Sequence, residues 1–294
     1  MIAALVAIVL LCVLLALGVP MLASMLLAIA ANFWLTGAWP ETIPQLMISG
    51  LGRFILIALP MFVLAGGVMN AGGISGRLFD FATAVVGWLR GGLAQVNVLT
   101  SMFFGGMIGS STADLAGTGS IIIPAMKKAG YPADISAAVS ASSSGVGPLI
   151  PPSSPMILYS AISGVSLGTL FLAGLIPGSL LGLSQMAIVA WLARKHGWKA
   201  FAPFQLDVLW RTTRRAILSF GLPIIIVGGL VLGVFTPSEA SAFAAMYAIF
   251  LACIVHRAIG LRALYRVFGN AVQLTGELLL IVSLSFALGP MSST

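Results

Sequence analysis

Two stretches rich in Gly, Ser, Thr and Pro interrupt an otherwise apolar chain, and the chemistry they suggest is cation binding. Residues 103–124 read FFGGMIGSSTADLAGTGSIIIP, and residues 140–155 read SASSSGVGPLIPPSSP. Hydroxyls and the carbonyls of unwound helix are hard oxygen ligands that add no charge, which suits a monovalent cation. Hydrocarbon offers no water to exposed N–H and C=O groups. Broken backbone at that depth therefore occurs only where it is buried in protein or lines a cavity. Two such interruptions point to an ion or solute pathway. The candidate ligands are Gly105, Ser110 and Ser111 in the first stretch and the carbonyls near Gly147, Ile150 and Pro152 in the second. The alternative is that Gly and Ser merely allow helices to pack closely. Composition alone leaves the two readings level.

Other polar residues carry paired readings too. Asp114 is the only acid in the first stretch. An intramembrane carboxylate is expensive and hence a functional candidate, here for substrate; it also suits a helix cap. Ser153 and Ser154 follow a double proline at a half-helix start. Free N–H groups there attract an anion such as a substrate carboxylate, and simple N-capping accounts for the same residues. Glu239, in Thr236-Pro237-Ser238-Glu239, reads as a cap with Pro and an acid in the first turn. Glu277 lies inside the last apolar segment, either as a functional carboxylate or facing a polar interior. A serine hydrolase needs a base beside its nucleophile. The two histidines, His196 and His256, sit beside basic clusters at segment ends, so that reading is poor. No GxxxxGK[ST] run supports nucleotide binding. The chain is not expected to be an enzyme.

The elements that must position these residues follow from hydropathy and charge. Of 294 residues, 60% are hydrophobic and 7% charged, far below the roughly 25% of soluble domains, so this is an integral membrane protein. The excess of 14 Lys and Arg over 7 Asp and Glu sits in short loops. That marks cytoplasmic loops and not nucleic-acid binding. Cys12 and Cys253 lie in apolar segments and read as packing residues. The first segment has no basic leader and no cleavage site, and reads as a retained helix.

Residues 1–40 carry no charge, and Gly18-Val19-Pro20 divides them into two short helices. Residues 34–44 form a periplasmic loop anchored by Trp34 and Trp39, and residues 44–53 an interfacial arm. The 23 uncharged residues 54–76 suffice for one crossing of about 30 Å. Residues 91–126 begin and end next to basic residues. Their second arm has only 12 uncharged residues, 115–126, which predicts a re-entrant hairpin entering from the cytoplasm. The 59 uncharged residues 135–193 give two crossings, the first broken near Gly145–Pro148 and Pro151-Pro152. Residues 194–215 form a basic cytoplasmic loop. Residues 216–235 go out and 240–255 return, followed by an arm (261–268) and a long helix (271–290). Every basic cluster from Arg77 onward then falls on one side.

The pattern of residues 1–76, two helices around a Pro-containing turn, an arm and a long helix, starts again at 216 with opposite orientation. This predicts an all-α, inverted-repeat protein with a re-entrant hairpin and a discontinuous helix. Its divisions are scaffold helices and arm (1–76), half of a transport domain (77–165, with hairpin 91–128 and broken helix 135–163), a connecting helix and loop (166–215), and an incomplete second repeat (216–294). On this reading the sequence is C-terminally truncated or partial.

The runs MNAGGISGRLFD (69–80), GWLRGGLAQVNVL (87–99), GSIIIPAMKKAGY (119–131), GPLIPPS (147–153) and FTPSEA (235–240) closely resemble the large membrane subunit of tripartite ATP-independent periplasmic (TRAP) transporters. The likeness runs nearly end to end. It implies an elevator-type, sodium-coupled secondary importer of small organic acids, such as C4-dicarboxylates or sialic acid, in the bacterial inner membrane. It also implies two partners, a small four-helix membrane subunit and a periplasmic substrate-binding protein. Sodium would be the coupling ion, with no cofactor. In the family the hairpin tip and the GxxIPP break together bind sodium, and Gly105, Ser110, Ser111, Gly147, Ile150 and Pro152 match those positions. Two features depart from the pattern. The second hairpin and last broken helix are absent, and Ile108 stands where the tip usually has a hydroxyl. A passive channel or an inactive fragment is the alternative.

Overall fold

The computed structural model describes residues 2–37 and 42–288, including all their side chains except those of Ile2 and Ile108. Among the described residues every regular element is helical. In order these are α1 (Ile2–Ala16), α2 (Met21–Thr36), α3 (Thr42–Leu51), a 3-10 turn (Phe54–Ile57) leading into α4 (Ala58–Ala71), α5 (Ile74–Val86), α6 (Gly92–Ile108), α7 (Ser111–Asp114), α8 (Ser120–Lys128), α9 (Ala133–Ser144), α10 (Ser154–Ser163), α11 (Leu167–His196), α12 (Leu206–Pro223), α13 (Gly229–Val231), α14 (Pro237–Ile249) and α15 (Leu261–Leu288). Five helical stretches are long and apolar enough to cross a membrane: 54–71, 167–196, 206–231, 237–255 and 261–288. The chain is a multi-pass membrane protein.

Several expected boundaries shift, each for a local reason. The first two helices part at Gly18, whose φ of 80° is open to glycine at little cost. Helix α2 continues through Trp34, and α3 has already begun at Pro44. The expected 34–44 loop therefore shrinks, and Trp39 lies outside the described residues. The single crossing read over 54–76 ends at Ala71. Gly73 takes φ 70°, and the chain restarts as α5, so Arg77 sits in a helix and not in a loop. Of the basic loop read over 194–215, only residues 197–205 are non-helical, since Arg194, Lys195 and His196 form the last turn of α11. Arg211, Arg214 and Arg215 belong to α12, where Asp207 and Arg211 pair one turn apart on the exposed face. The arm (261–268) and long helix (271–290) are one helix as far as Leu288; residues 289–290 lie outside the described part. Arg262 and Arg266 are compatible with helix, and charge alone does not end one.

The described residues divide between two compact units, one drawn from 2–56 and 272–288 and the other Ile57–Ala271. In the first, Met25 and Ile29 of α2 are buried with Leu284 and Ala287 of α15. Phe286 lies so close to α3 that a Cβ on Gly50 would collide with its ring. The Arg53 guanidinium stands 5.4 Å from the centre of that ring, a cation–π distance.

The second unit contains the interrupted segments. Helices α6 and α8 form the two arms of a hairpin, joined by Gly109-Ser110, the short α7 and a π turn (Leu115–Gly119). Its base is a core of Leu93, Val98, Ile122, Met126, Val139 and Val189, drawn from α6, α8, α9 and α11. Phe81, Phe103 and Phe220 meet at centroid distances of 5.1–5.7 Å and tie α5 and α12 to α6. Thr236 and Glu239 close a reciprocal capping box at the start of α14, the role read for Glu239 from its position.

Candidate cation site

Helices α6 and α9 run side by side, and their contacts follow one pitch. Residues 97, 101, 105 and 109 recur every four positions and so share one face of α6. They meet 140, 143, 147 and 152 in order. Asn97 Nδ2 donates to Ser140 Oγ at 2.7 Å, and the hydroxyls of Ser101 and Ser143 are 3.1 Å apart. All four residues are buried. The next two contacts are made of backbone. A Cβ on Gly105 would collide with the Cα of Gly147. A Cβ on Gly109 would collide with the carbonyl oxygen of Pro152 and lie 2.8 Å from the Cα of Ser153. Gly109 also ends α6 with φ 63°, a conformation costly for other residues. Between them, a Cβ on Gly106 would stand 3.4 Å from the Pro151 carbonyl oxygen and 3.2 Å from Ile150 Cγ2.

The tip of the hairpin is capped by Ser110 and not by Asp114. Ser110 Oγ accepts from Ala113 N at 3.4 Å and lies 3.1 Å from the Thr112 hydroxyl. Ser111 is partly accessible, and its hydroxyl makes no hydrogen bond to the described residues. Asp114 lies fully buried behind the tip. Its Oδ1 accepts from Thr118 Oγ1 at 2.7 Å, while Oδ2 is shielded from solvent and has no hydrogen-bond partner. The side chain of Ile108 lies outside the described part.

The break in the partner helix is short. After α9 a 3-10 turn spans Gly147–Leu149, Ile150 is extended, and the Pro151-Pro152 bond is cis. Ser153 is fully buried. It donates to Pro148 O at 2.5 Å and accepts from Met156 N at 3.4 Å, capping α10. Its single hydroxyl proton is thus committed within the fold. Ser154 opens α10 and is half-buried.

A third element supports this break. Gly174, Gly178 and Gly182 form a buried stripe on α11. A Cβ on Gly174 would sit 2.6 Å from Leu149 O, one on Gly178 2.9 Å from Ile150 Cγ1, and one on Gly182 would strike Met102 of α6. Gln185, one turn further, donates from Nε2 to Ser142 O at 2.9 Å. The sequence reading singled out none of these glycines, although glycine every fourth residue in an apolar helix is a legible mark of close packing.

Of the residues read as candidate ligands, the fold brings Gly105 against Gly147 and sets the turn before Ser110 against Pro152, with Ile150 close to Gly106. Ser111 follows at the tip. Of the three candidates for substrate, Asp114 and Ser153 are enclosed and Ser154 is accessible. Among the described residues no group of three or more His, Cys, Asp or Glu converges. The donors on offer at the tip and break are hydroxyls and carbonyls, which fit a hard monovalent cation.

Comparison with known proteins agrees over nearly the whole chain. Residues 8–291 match the family described as tripartite ATP-independent periplasmic transporter, DctM component. The chain is 38% identical over 238 residues to the sialic acid TRAP transporter large permease protein SiaM of Vibrio cholerae, covering 81% of this chain and 56% of that protein. It is 37% identical over 269 residues to the 2,3-diketo-L-gulonate TRAP transporter large permease protein YiaN of Escherichia coli, covering 91% and 63%. It is 40% identical over 231 residues to the C4-dicarboxylate TRAP transporter large permease protein DctM of Pseudomonas aeruginosa, covering 79% and 54%. The chain thus spans little more than half the length of these relatives.

Proposed function

Because the chain belongs to the DctM component of the tripartite ATP-independent periplasmic transporters, a family of transporters and not enzymes, we propose that it serves a sodium-coupled secondary importer of small organic acids. The relatives named above are described for sialic acid, 2,3-diketo-L-gulonate and C4-dicarboxylates, all of which carry a carboxylate. A small carboxylate is accordingly the substrate class proposed here. The membrane is the bacterial inner membrane. The partners are a small four-helix membrane subunit and a periplasmic substrate-binding protein.

The observation that carries this reading is the backbone contact of Gly105 with Gly147 and of Gly109 with Pro152. Without side chains between them, the tip and the break bring carbonyls and the Ser110 and Ser111 hydroxyls near one another. Helix interruptions at a midplane site are the usual device by which transporters hold coupling ions. Sodium is held there by Gly105, Ser110, Ser111 and the Gly147, Ile150 and Pro152 segment. The substrate carboxylate lies by Ser154 in the first turn of α10. The working motion is an elevator movement of the hairpin and broken helix, and the 1–76 and 216–294 segments belong to inverted repeats.

The test is uptake of radiolabelled organic acid into proteoliposomes holding the complete transporter with its binding protein. Uptake should need an inward sodium gradient and no nucleotide. Uptake unchanged when potassium replaces sodium would reject sodium coupling and favour a passive pathway.

A further inference from the structure

Three basic side chains stand on adjoining elements of the Ile57–Ala271 unit, outside the residues of the candidate cation site. Arg77 lies in the first turn of α5, Arg215 in α12, and His256 just beyond the π turn Phe250–Val255 that ends α14. Helix α5 packs against α12, and α4 packs against that π turn. The α4–α5 junction sits close on the same turn, since a Cβ on Gly72 would be 3.0 Å from Ala252 Cβ. Arg77 is partly desolvated and within Coulombic reach of both Arg215 and His256.

The cluster has no internal counter-charge. The one ion pair among the described residues joins Arg211 to Asp207. Asp80, one turn from Arg77, is exposed and forms no ion pair among the described residues. Arg77 Nη1 and His256 Nε2 are both shielded from solvent without a hydrogen-bond partner. Burial, and then the Arg77 cation, hold the His256 imidazole below its usual range. Two guanidinium groups and an imidazole on adjoining elements, with orphaned polar atoms on Arg77 and His256, leave polar positions that a bound anion would satisfy.

Position within the helices indicates the source of the anion. Arg215 is the last charge before the uncharged run 216–238, and His256 follows the uncharged run 240–255. Ile217 and Leu218 beyond Arg215, and Ile254 and Val255 before His256, are exposed. The basic groups thus stand where two apolar helices leave the hydrocarbon, with apolar surface running inward from them. Guanidinium groups fit phosphate oxygens in a bidentate fork, and basic pockets between membrane helices hold anionic headgroups.

We propose that Arg77, Arg215 and His256 form a binding site for a phosphate-bearing anion, supplied as the headgroup of an anionic phospholipid. Native mass spectrometry of the purified protein, released from detergent after addition of phosphatidylglycerol, phosphatidylcholine or inorganic phosphate, tests this. Phosphatidylglycerol should stay bound in preference to phosphatidylcholine. Its retention should fall about tenfold in Arg215→Gln and in Arg77→Gln, the loss expected for a charge-assisted hydrogen bond. It should persist in Arg215→Lys and in Arg211→Gln, whose guanidinium is exposed and engaged with Asp207. Arg215 is exposed, so its variants keep the test valid if Arg77→Gln folds poorly. Displacement of phosphatidylglycerol by millimolar phosphate would overturn the lipid source and keep the anion site. Equal retention of both lipids, or retention unchanged in both glutamine variants, would overturn the site itself.

Discussion

Along one face of α6 a single pitch carries two kinds of contact. Asn97 and Ser101 reach α9 through side-chain hydrogen bonds, whereas Gly105 and Gly109 reach the break through bare backbone. The first pair fixes the helices in register with directional bonds among buried groups. The second removes all side chains where the partner helix unwinds, so main-chain oxygens are the surface on offer. Rigid attachment and the proposed ligand surface are thus separated by one helical turn. Substitutions at the two contact types should fail differently, the polar pair in stability and the glycine pair in sodium dependence.

The largest effect belongs to Gly105→Ala. Its methyl would overlap the Gly147 Cα, and backbone cannot swing aside as a flexible side chain can. Overpacking of this kind costs about 1–3 kcal/mol. Sodium-driven uptake by the complete transporter should be abolished, with part of the protein still reaching the membrane. Normal uptake by this variant would show that the tip and break need not touch.

Gly147→Ala should be milder. Its Cβ would stand 3.3 Å from the Gly105 Cα, a crowding that a shift of a few tenths of an ångström relieves. Sodium affinity should weaken by about tenfold, equivalent to one lost hydrogen-bond-strength ligand, with near-normal expression. A sodium titration of uptake measures it.

At the polar contacts, Asn97→Ala and Ser140→Ala should each destabilise the fold while leaving sodium affinity unchanged. A double-mutant cycle between them should give a coupling of about 0.6 kcal/mol, typical for hydrogen bonds between membrane helices. Unfolding of the purified protein reports the first effect and a sodium titration the second. A shift in sodium affinity here would erase the distinction between the two contact types. Among the variants expected to change sodium affinity, the smallest effect belongs to Ser110→Ala. It removes a cap worth about 1 kcal/mol and one candidate ligand, so sodium affinity should fall less than in Gly147→Ala.

The interruptions were legible in the sequence because Gly, Ser and Pro stand out in an apolar chain and each has a backbone consequence. Pro148, Pro151 and Pro152 cannot continue the helix begun at Ala133, and Gly109-Ser110 turns the hairpin. Thr236 and Glu239 were legible as a cap from their spacing. The register between α6 and α9 was not, because Asn97, Ser101, Ser140 and Ser143 have meaning only once the two helices are paired. The stripe of Gly174, Gly178 and Gly182 has a legible spacing but does not stand out in a chain of 34 glycines. Charge misled twice, at 194–215 and at 261–268, since Arg and Lys are good helix formers that mark a membrane boundary without ending a helix. The π turns at 115–119, 224–228 and 250–255 follow from packing and leave no periodicity to read.

Sodium-dependent stabilisation of the purified protein tests the central claim most directly. A ligand that binds only the folded state raises the unfolding midpoint with its concentration. The midpoint should rise with sodium over an equal concentration of potassium in the parent protein and in Asn97→Ala, and the rise should be smaller and need about tenfold more sodium in Gly147→Ala. A rise of equal size in Gly147→Ala, or none in the parent protein, would contradict the placement of the cation between hairpin tip and break.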